Sequence, residues 1–198
     1  MHVRVWSDYI CPWCYLGRDR TALLIARGCT IELLPFELHP DLPPAGRAVR
    51  PGGRVSMVHE DIGRQCAEVG LAFRPPMHVP NSRRALATAE VVRTIAPKRF
   101  TAIDDALFTA HFVEGRDIGD PAVLDALVET VGVDSAVVRA QVDDGAGQPE
   151  VDAAKSAAFD HGVAGTPSWL FGDLVIPGVQ PRELFERVVD RLRARTGE

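Results

Sequence analysis

Nowhere in the 198 residues does an apolar run approach the roughly 18 consecutive residues that a membrane-spanning helix needs. No leader with a charged start, an apolar middle and a small-residue end precedes the first strand, so a cytoplasmic protein is expected. Positive charge is in deficit. The 22 Lys and Arg face 27 Asp and Glu, a net charge of -5, which argues against a nucleic-acid partner or an anionic membrane surface. There is no Gly-rich phosphate loop, internal repeat or low-complexity tract. Histidines occur at His2, His39, His59, His78, His111 and His161 without H-x-x-x-H spacing, and no second C-x-x-C completes a four-ligand zinc site. Neither a metal nor an organic cofactor is expected. The remaining composition, 46% hydrophobic and 25% charged, is that of an ordinary globular chain able to bury one core, or one core with a large insertion.

Against this background stands Cys11-Pro12-Trp13-Cys14, directly after the short apolar run Val3, Val5, Trp6. Two cysteines three apart lie on adjacent turns of a helix and can close a disulfide with little backbone change. A helix that begins at the first of them places Cys11 among unpaired N–H groups at the positive end of the helix dipole. There a thiol pKa falls from about 8.5 to roughly 3.5–7.5, and the thiolate is the attacking species. Pro12 suits the first helical position, where its missing N–H loses nothing. The other two cysteines sit in apolar patterns. Cys66 follows Ile62 by four and precedes Val69 by three, the buried stripe of a helix, and Cys29 lies at a core edge.

The rest of the chain divides by periodicity. His2 to Asp8 reads as a strand, Cys14 to Ala26 as a helix stopped at Gly28, and Thr30 to Leu38 as a second strand. Together they form a β-α-β unit with a parallel sheet. Its right-handed crossover puts the Cys11 loop at the carboxyl end of the first strand, where open α/β sheets keep their sites. Pro40 to Gly53 reads as an exposed loop. From Arg54 to about Gly145 only helical stripes occur: Val55, Val58, Ile62, Val69; Leu86, Ala89, Val92; Phe100, Ile103, Leu107, Phe108; and Val123, Leu124, Leu127, Val128, Val131, the last begun by Asp120 as cap and Pro121. A helix from Glu150 to about His161 follows, then strands Ser168–Phe171 and Leu174–Ile176 around Gly172-Asp173, and a final helix after Pro181 with Leu184, Phe185, Val188 and Leu192 on one face. The fold class expected is α/β, with residues 1–40 and 149–198 forming one domain and 41–148 an all-helical insertion.

That order, with C-x-x-C after the first strand and Pro167 before the third, resembles the thioredoxin fold in its DsbA-like branch. The stretch Ser7-Asp8-Tyr9-Ile10-Cys11-Pro12-Trp13-Cys14-Tyr15-Leu16-Gly17 is similar to the active-site stretch of FrnE-like DsbA-family oxidoreductases. Further matches to that subgroup are the phrase Phe112-Val113-Glu114-Gly115-Arg116-Asp117-Ile118 and the loop Gly162-Val163-Ala164-Gly165-Thr166-Pro167-Ser168. The resemblance implies that Cys11 is an exposed, ionised nucleophile toward disulfides and that Cys14, shielded, resolves the mixed disulfide. It also implies a cis bond before Pro167, with the adjacent backbone pairing with an extended substrate. Trp13 replaces the histidine of strongly oxidising relatives, so a milder couple is expected. Protein or small-molecule thiols and disulfides are the expected partners, and an external thiol such as glutathione, or a thioredoxin-like protein, is the expected donor.

Several residues carry two readings. Asp8 takes a proton from Cys14 or caps the loop. Trp13 and Tyr15 form an apolar platform or cover the core. Thr166 hydrogen-bonds near the thiolate, or is there because a β-branched side chain suits the extended backbone before proline. Glutathione-dependent isomerases and kappa-class transferases resemble the same architecture but carry serine at the position of Cys11, whereas this chain has both thiols. Outside enzymology stand a zinc module, for which the second ligand pair is missing, and a client-binding surface on the helical stripes, which are more often core.

Overall fold

The alternation of the first strand divides two apolar cores. In the computed structural model, which describes residues 1–50 and 52–196, β1 (His2–Ser7) sends Val3 and Val5 to a cluster with Leu24, Trp169, Phe171, Phe185 and Val189. Trp6 points to the opposite face, against Phe36, Ala158, Val163 and Leu170. The strand is therefore apolar on both sides and sits inside the sheet, as a strand covered on two faces must. It pairs in parallel with β2 (Thr30–Pro35) and antiparallel with β5 (Ser168–Phe171), which forms a hairpin with β6 (Leu174–Pro177), in the order β2-β1-β5-β6.

Helix α1 (Pro12–Ala26) starts two residues earlier than its apolar pattern predicts, because Pro12 takes the first helical position. Gly28 ends it at φ +75. The strand expected to reach Leu38 leaves the sheet at Pro35. The Phe36 amide makes the last bond, to the Ser7 carbonyl at 2.9 Å, and the Leu38 amide turns to the Asp8 carboxylate.

The loop expected over 40–53 contains a strand, β3 (Arg47–Ala48), paired antiparallel with β4 (His78–Val79). The segment after residue 54 is thus not wholly helical. Two-residue strands thirty residues apart are too short for any periodicity to register. The helices of this segment are α2 (Gly53–Glu68), α3 (Arg83–Ile95), α4 (Phe100–Thr109), α5 (Pro121–Thr130) and α6 (Ser135–Asp143). Asp120 caps α5 by accepting from the Ala122 amide. Helix α6 is absent from the expected stripes because Val138 is its one buried residue, and Val55, expected in a stripe, is 48% exposed.

Helix α7 (Gln148–Asp160) covers the Trp6 face of the sheet, and the Trp6 indole donates to the Ala154 carbonyl at 2.9 Å. Helix α8 (Arg182–Thr196) inserts Phe185 and Val189 into the other core, each burial contributing about 1.5–3 kcal/mol. Leu184, Val188 and Leu192 pack at its edge. The largest cluster joins α2 to α6 with residues 9–16, so the helical segment packs directly against the start of α1.

Candidate active site

Between Ser7 and Pro12 the chain makes one tight turn. The Cys11 amide donates to the Asp8 carbonyl at 3.1 Å, and the Cys11 carbonyl accepts from the amides of Cys14 (3.0 Å) and Tyr15 (3.2 Å). Cys11 is the residue before the first helical turn, with extended backbone (φ -84, ψ 111) and no side-chain cap competing for the free amides. Opposite it runs the loop before β5, whose Thr166–Pro167 peptide bond is cis. The Cys11 thiol donates to the Thr166 carbonyl at 3.5 Å. Gly17 makes this approach feasible: a Cβ there would lie 3.0 Å from the Trp169 ring and 3.5 Å from Pro167 Cγ. The Pro167 carbonyl is held in turn by the Gly178 amide at 2.8 Å. The structure therefore brings Cys11, Pro12, Cys14, Thr166 and Pro167 together.

Exposure does not separate the two thiols. Cys11 and Cys14 are each 3% exposed, contrary to the expectation of an exposed Cys11. The Thr166 carbonyl covers its sulfur, and Tyr9, Ile10 and Cys14 share its apolar cluster. The asymmetry is electrostatic. The hydrogen bond from the Cys14 thiol lowers the Cys11 pKa below the usual 9.0, against the opposing effect of burial, and the Thr166 hydroxyl adds to the lowering. Burial pushes Cys14 well above 9.0, and its hydrogen bond to Cys11 and the charge there push the same way. One member of the pair thus ionises at the other's expense. The Thr166 hydroxyl is buried without a hydrogen-bond partner in the dithiol form, and it lies close enough to both sulfurs to favour their thiolates.

Asp8 is wholly buried. It accepts from the Ile10 amide (3.3 Å), the Leu38 amide (2.7 Å) and the Ser82 hydroxyl (3.1 Å). It thus caps the loop, as one of its two readings held, and also ties the loop to the start of α3. Burial raises its pKa from 3.8 to about 6 despite those donors. Tyr15 covers core, packed on Phe73, Phe108 and Phe112 with its hydroxyl on the Ala72 carbonyl. Trp13 is half-buried against the same cluster.

A cavity of about 210 Å³ opens beside Cys14 and Pro167, bounded by Gly17 and Arg18 of α1 and by Asp104 and Phe108 of α4. Asp104 accepts from the Tyr9 hydroxyl at 3.0 Å, and burial raises its pKa to about 6. No sequence motif points to Ser82 or Asp104, since only packing brings α3 and α4 to the site. Among the described residues no group of three or more metal-ligating side chains converges, and no helix is long and apolar enough to cross a membrane.

Comparison with known proteins matches residues 2–190 to the family described as DSBA-like thioredoxin domain. The uncharacterized protein YwbO of Bacillus subtilis (strain 168) is 27% identical over 191 residues, 96% of each chain. A probable DsbA oxidoreductase from Streptomyces coelicolor superimposes with a TM-score of 0.86 at 26% identity, covering 100% of this chain and 91% of that one. A 2-hydroxychromene-2-carboxylate isomerase shares the fold, with a TM-score of 0.78 at 21% identity over 100% and 98% of the two chains.

Proposed function

The chain belongs to the DSBA-like thioredoxin domain family, and from that premise we propose that it is a thiol-disulfide oxidoreductase of the FrnE-like subgroup, with Cys11 as nucleophile and Cys14 as resolving thiol. The observation that carries the reading is the opposed drift of two neighbouring thiols at the start of α1: Cys11 toward thiolate, Cys14 toward thiol. The Cys11 thiolate attacks one sulfur of a substrate disulfide, forming a mixed disulfide and expelling the other sulfur as thiolate. Cys14 then loses its proton and attacks the Cys11 sulfur, closing the Cys11–Cys14 bond and releasing the second substrate thiol. Two electrons pass from the dithiol to the substrate, and the reverse sequence oxidises a dithiol.

Pro12 sets the helix start, and Trp13, lacking a cationic ring, leaves the thiolate less stabilised than a histidine would, which gives a milder couple. The Thr166–Pro167 loop supplies the backbone against which substrate lies, and the Thr166 hydroxyl donates to the sulfur that is ionised. Asp8 holds the loop and, titrating near pH 6, is the group that takes the Cys14 proton. The setting is cytoplasmic. An external thiol, glutathione or a thioredoxin-like protein, resets the couple, because the sequence has no second C-x-x-C for an internal relay.

Titration of the Cys11/Cys14 couple against glutathione redox buffers, with trapping of the mixed disulfide in Cys14→Ser, tests this reading. The expected result is a reversible intramolecular disulfide and an adduct on Cys11. Protein that never closes the bond across the buffer range overturns it.

A further inference from the structure

Helix α3 begins with a serine that does not do what serine usually does there. A serine at the position before the first helical turn ordinarily accepts from the free amides of that turn. Ser82 holds that position and makes no such bond. The neighbouring Asn81 serves instead, its side-chain oxygen accepting from the Arg83 amide at 3.0 Å while its amide group donates to the Leu42 carbonyl at 2.7 Å. Ser82, 3% exposed, is thereby released to donate its hydroxyl to Asp8 Oδ2 at 3.1 Å.

The two oxygens of Asp8 are consequently unlike. Oδ2 takes two donors, the Ser82 hydroxyl and the Leu38 amide at 2.7 Å, whereas Oδ1 takes the Ile10 amide alone, at a long 3.3 Å. Asp8 is wholly buried, so these donors rather than bulk solvent decide where its charge rests and where a proton lands. A carboxylate with donors crowded on one oxygen takes its proton on the other. Two of the three donors are amides fixed by the backbone; the hydroxyl is the one a side chain supplies. Around them stand few charges. Glu37, after β2, opposes a second negative charge at Asp8, and is itself held by both prongs of Arg83 at 2.9 and 3.0 Å. Lys155 of α7 donates to the Glu37 carbonyl at 2.9 Å. On the α1 side are the two thiols.

On the reading of Asp8 as the acceptor for Cys14, we infer that Ser82 is a positioning residue of the exchange reaction: its hydroxyl on Oδ2 keeps the carboxylate ionised and leaves Oδ1 open for the proton. In the closing step the Cys14 S–H bond breaks and its proton passes to Asp8 Oδ1. The sulfur's electron pair forms the Cys11–Cys14 bond, and the substrate sulfur leaves Cys11 as thiolate. Without the Ser82 hydroxyl, Oδ2 loses a charge-assisted bond, and Asp8 holds its own proton to higher pH, where it is closed to that of Cys14.

Two readouts in the full chain test this. One is the carboxyl 13C NMR titration of Asp8 in the reduced protein. The other is stopped-flow reaction with an aromatic disulfide that releases one chromophore on attack by Cys11 and a second on closure by Cys14, followed from pH 5 to 8. Ser82→Ala is expected to move the Asp8 midpoint and the acid limb of the second release upward together by about one unit, slowing that release about fivefold at pH 6, and Ser82→Thr to restore both. In Asp8→Asn the limb is lost, and adding Ser82→Ala changes nothing further. An Asp8 midpoint unmoved by Ser82→Ala, or a slowing that persists in the Asp8→Asn background, overturns the inference and leaves Ser82 a packing residue. A second chromophore never released by the wild-type protein is a different failure, that of the oxidoreductase reading itself, and it overturns the inference with it.

Discussion

Cys11 and Cys66 are almost equally hidden, 3% and 0% exposed, and share one apolar cluster, yet their thiols are driven in opposite directions. Cys66 lies near the end of α2, where burial acts alone and pushes the thiol up to about 11. Cys11 lies at the start of α1, where the bond from Cys14 and the Thr166 hydroxyl outweigh the same penalty. Burial by itself makes an inert thiol; donors arranged around the sulfur make a reactive one.

The comparison breaks most visibly at the nucleophile. Cys11→Ser is expected to abolish disulfide exchange, since a hydroxyl cannot form the mixed disulfide, whereas Cys66→Ala leaves exchange intact; stopped-flow reduction of a chromogenic disulfide distinguishes them. Activity retained in Cys11→Ser would remove the reading of Cys11 as nucleophile.

Asp8 sharpens it through pH. Burial raises this carboxyl from 3.8 to about 6, so the folded state holds the proton more tightly than the unfolded chain. Its contribution to stability is fully present below about pH 4 and is lost as pH rises through about 6, a change of about 3 kcal/mol. Asp104 is shifted the same way and His111, lowered to about 4, acts in the opposite sense over the same range, so Asp8→Asn is expected to remove the Asp8 share alone, about 3 kcal/mol, from the change read by urea unfolding between pH 4 and 7. Because the Asp8 charge raises the Cys11 pKa, the same variant lowers that pKa further. An unchanged slope would show that Asp8 is hydrated.

A smaller effect isolates the donor. Thr166→Val keeps the shape and removes the hydroxyl, and the midpoint of Cys11 alkylation against pH should rise by up to about one unit, with Thr166→Ser restoring it. If valine leaves the midpoint in place, the hydroxyl contributes nothing to the thiolate. Smallest is Cys66→Ala itself, expected to cost about 1–2 kcal/mol in unfolding free energy with no movement of that midpoint.

Much of the fold was legible because it is written in local pattern. Alternation identifies β1, the 3.6-residue stripes identify α3, α4 and α5, and Asp120-Pro121 marks a helix start that the Ala122 amide bond realises. What escaped lacked such pattern. β3 and β4 are two residues each, α6 buries only Val138, and β2 ends early because the Leu38 amide finds the Asp8 carboxylate, a partner thirty residues away. At the site, the motif located both thiols and Pro167 but not their burial, nor Ser82 and Asp104, which reach the site from helices with no motif of their own.

By itself, then, the sequence determined the β-α-β start, the helix beginning at Pro12 and the two sulfurs beside it, since neighbours in the chain are neighbours in a helix turn. The helix start already pointed to Cys11 as the acidic thiol; only the tertiary structure decided what sustains that asymmetry once both sulfurs are buried. That depends on the Thr166 loop, 155 residues away, closing over Cys11, and on the depth to which packing against α2 to α6 buries Cys14 and Asp8.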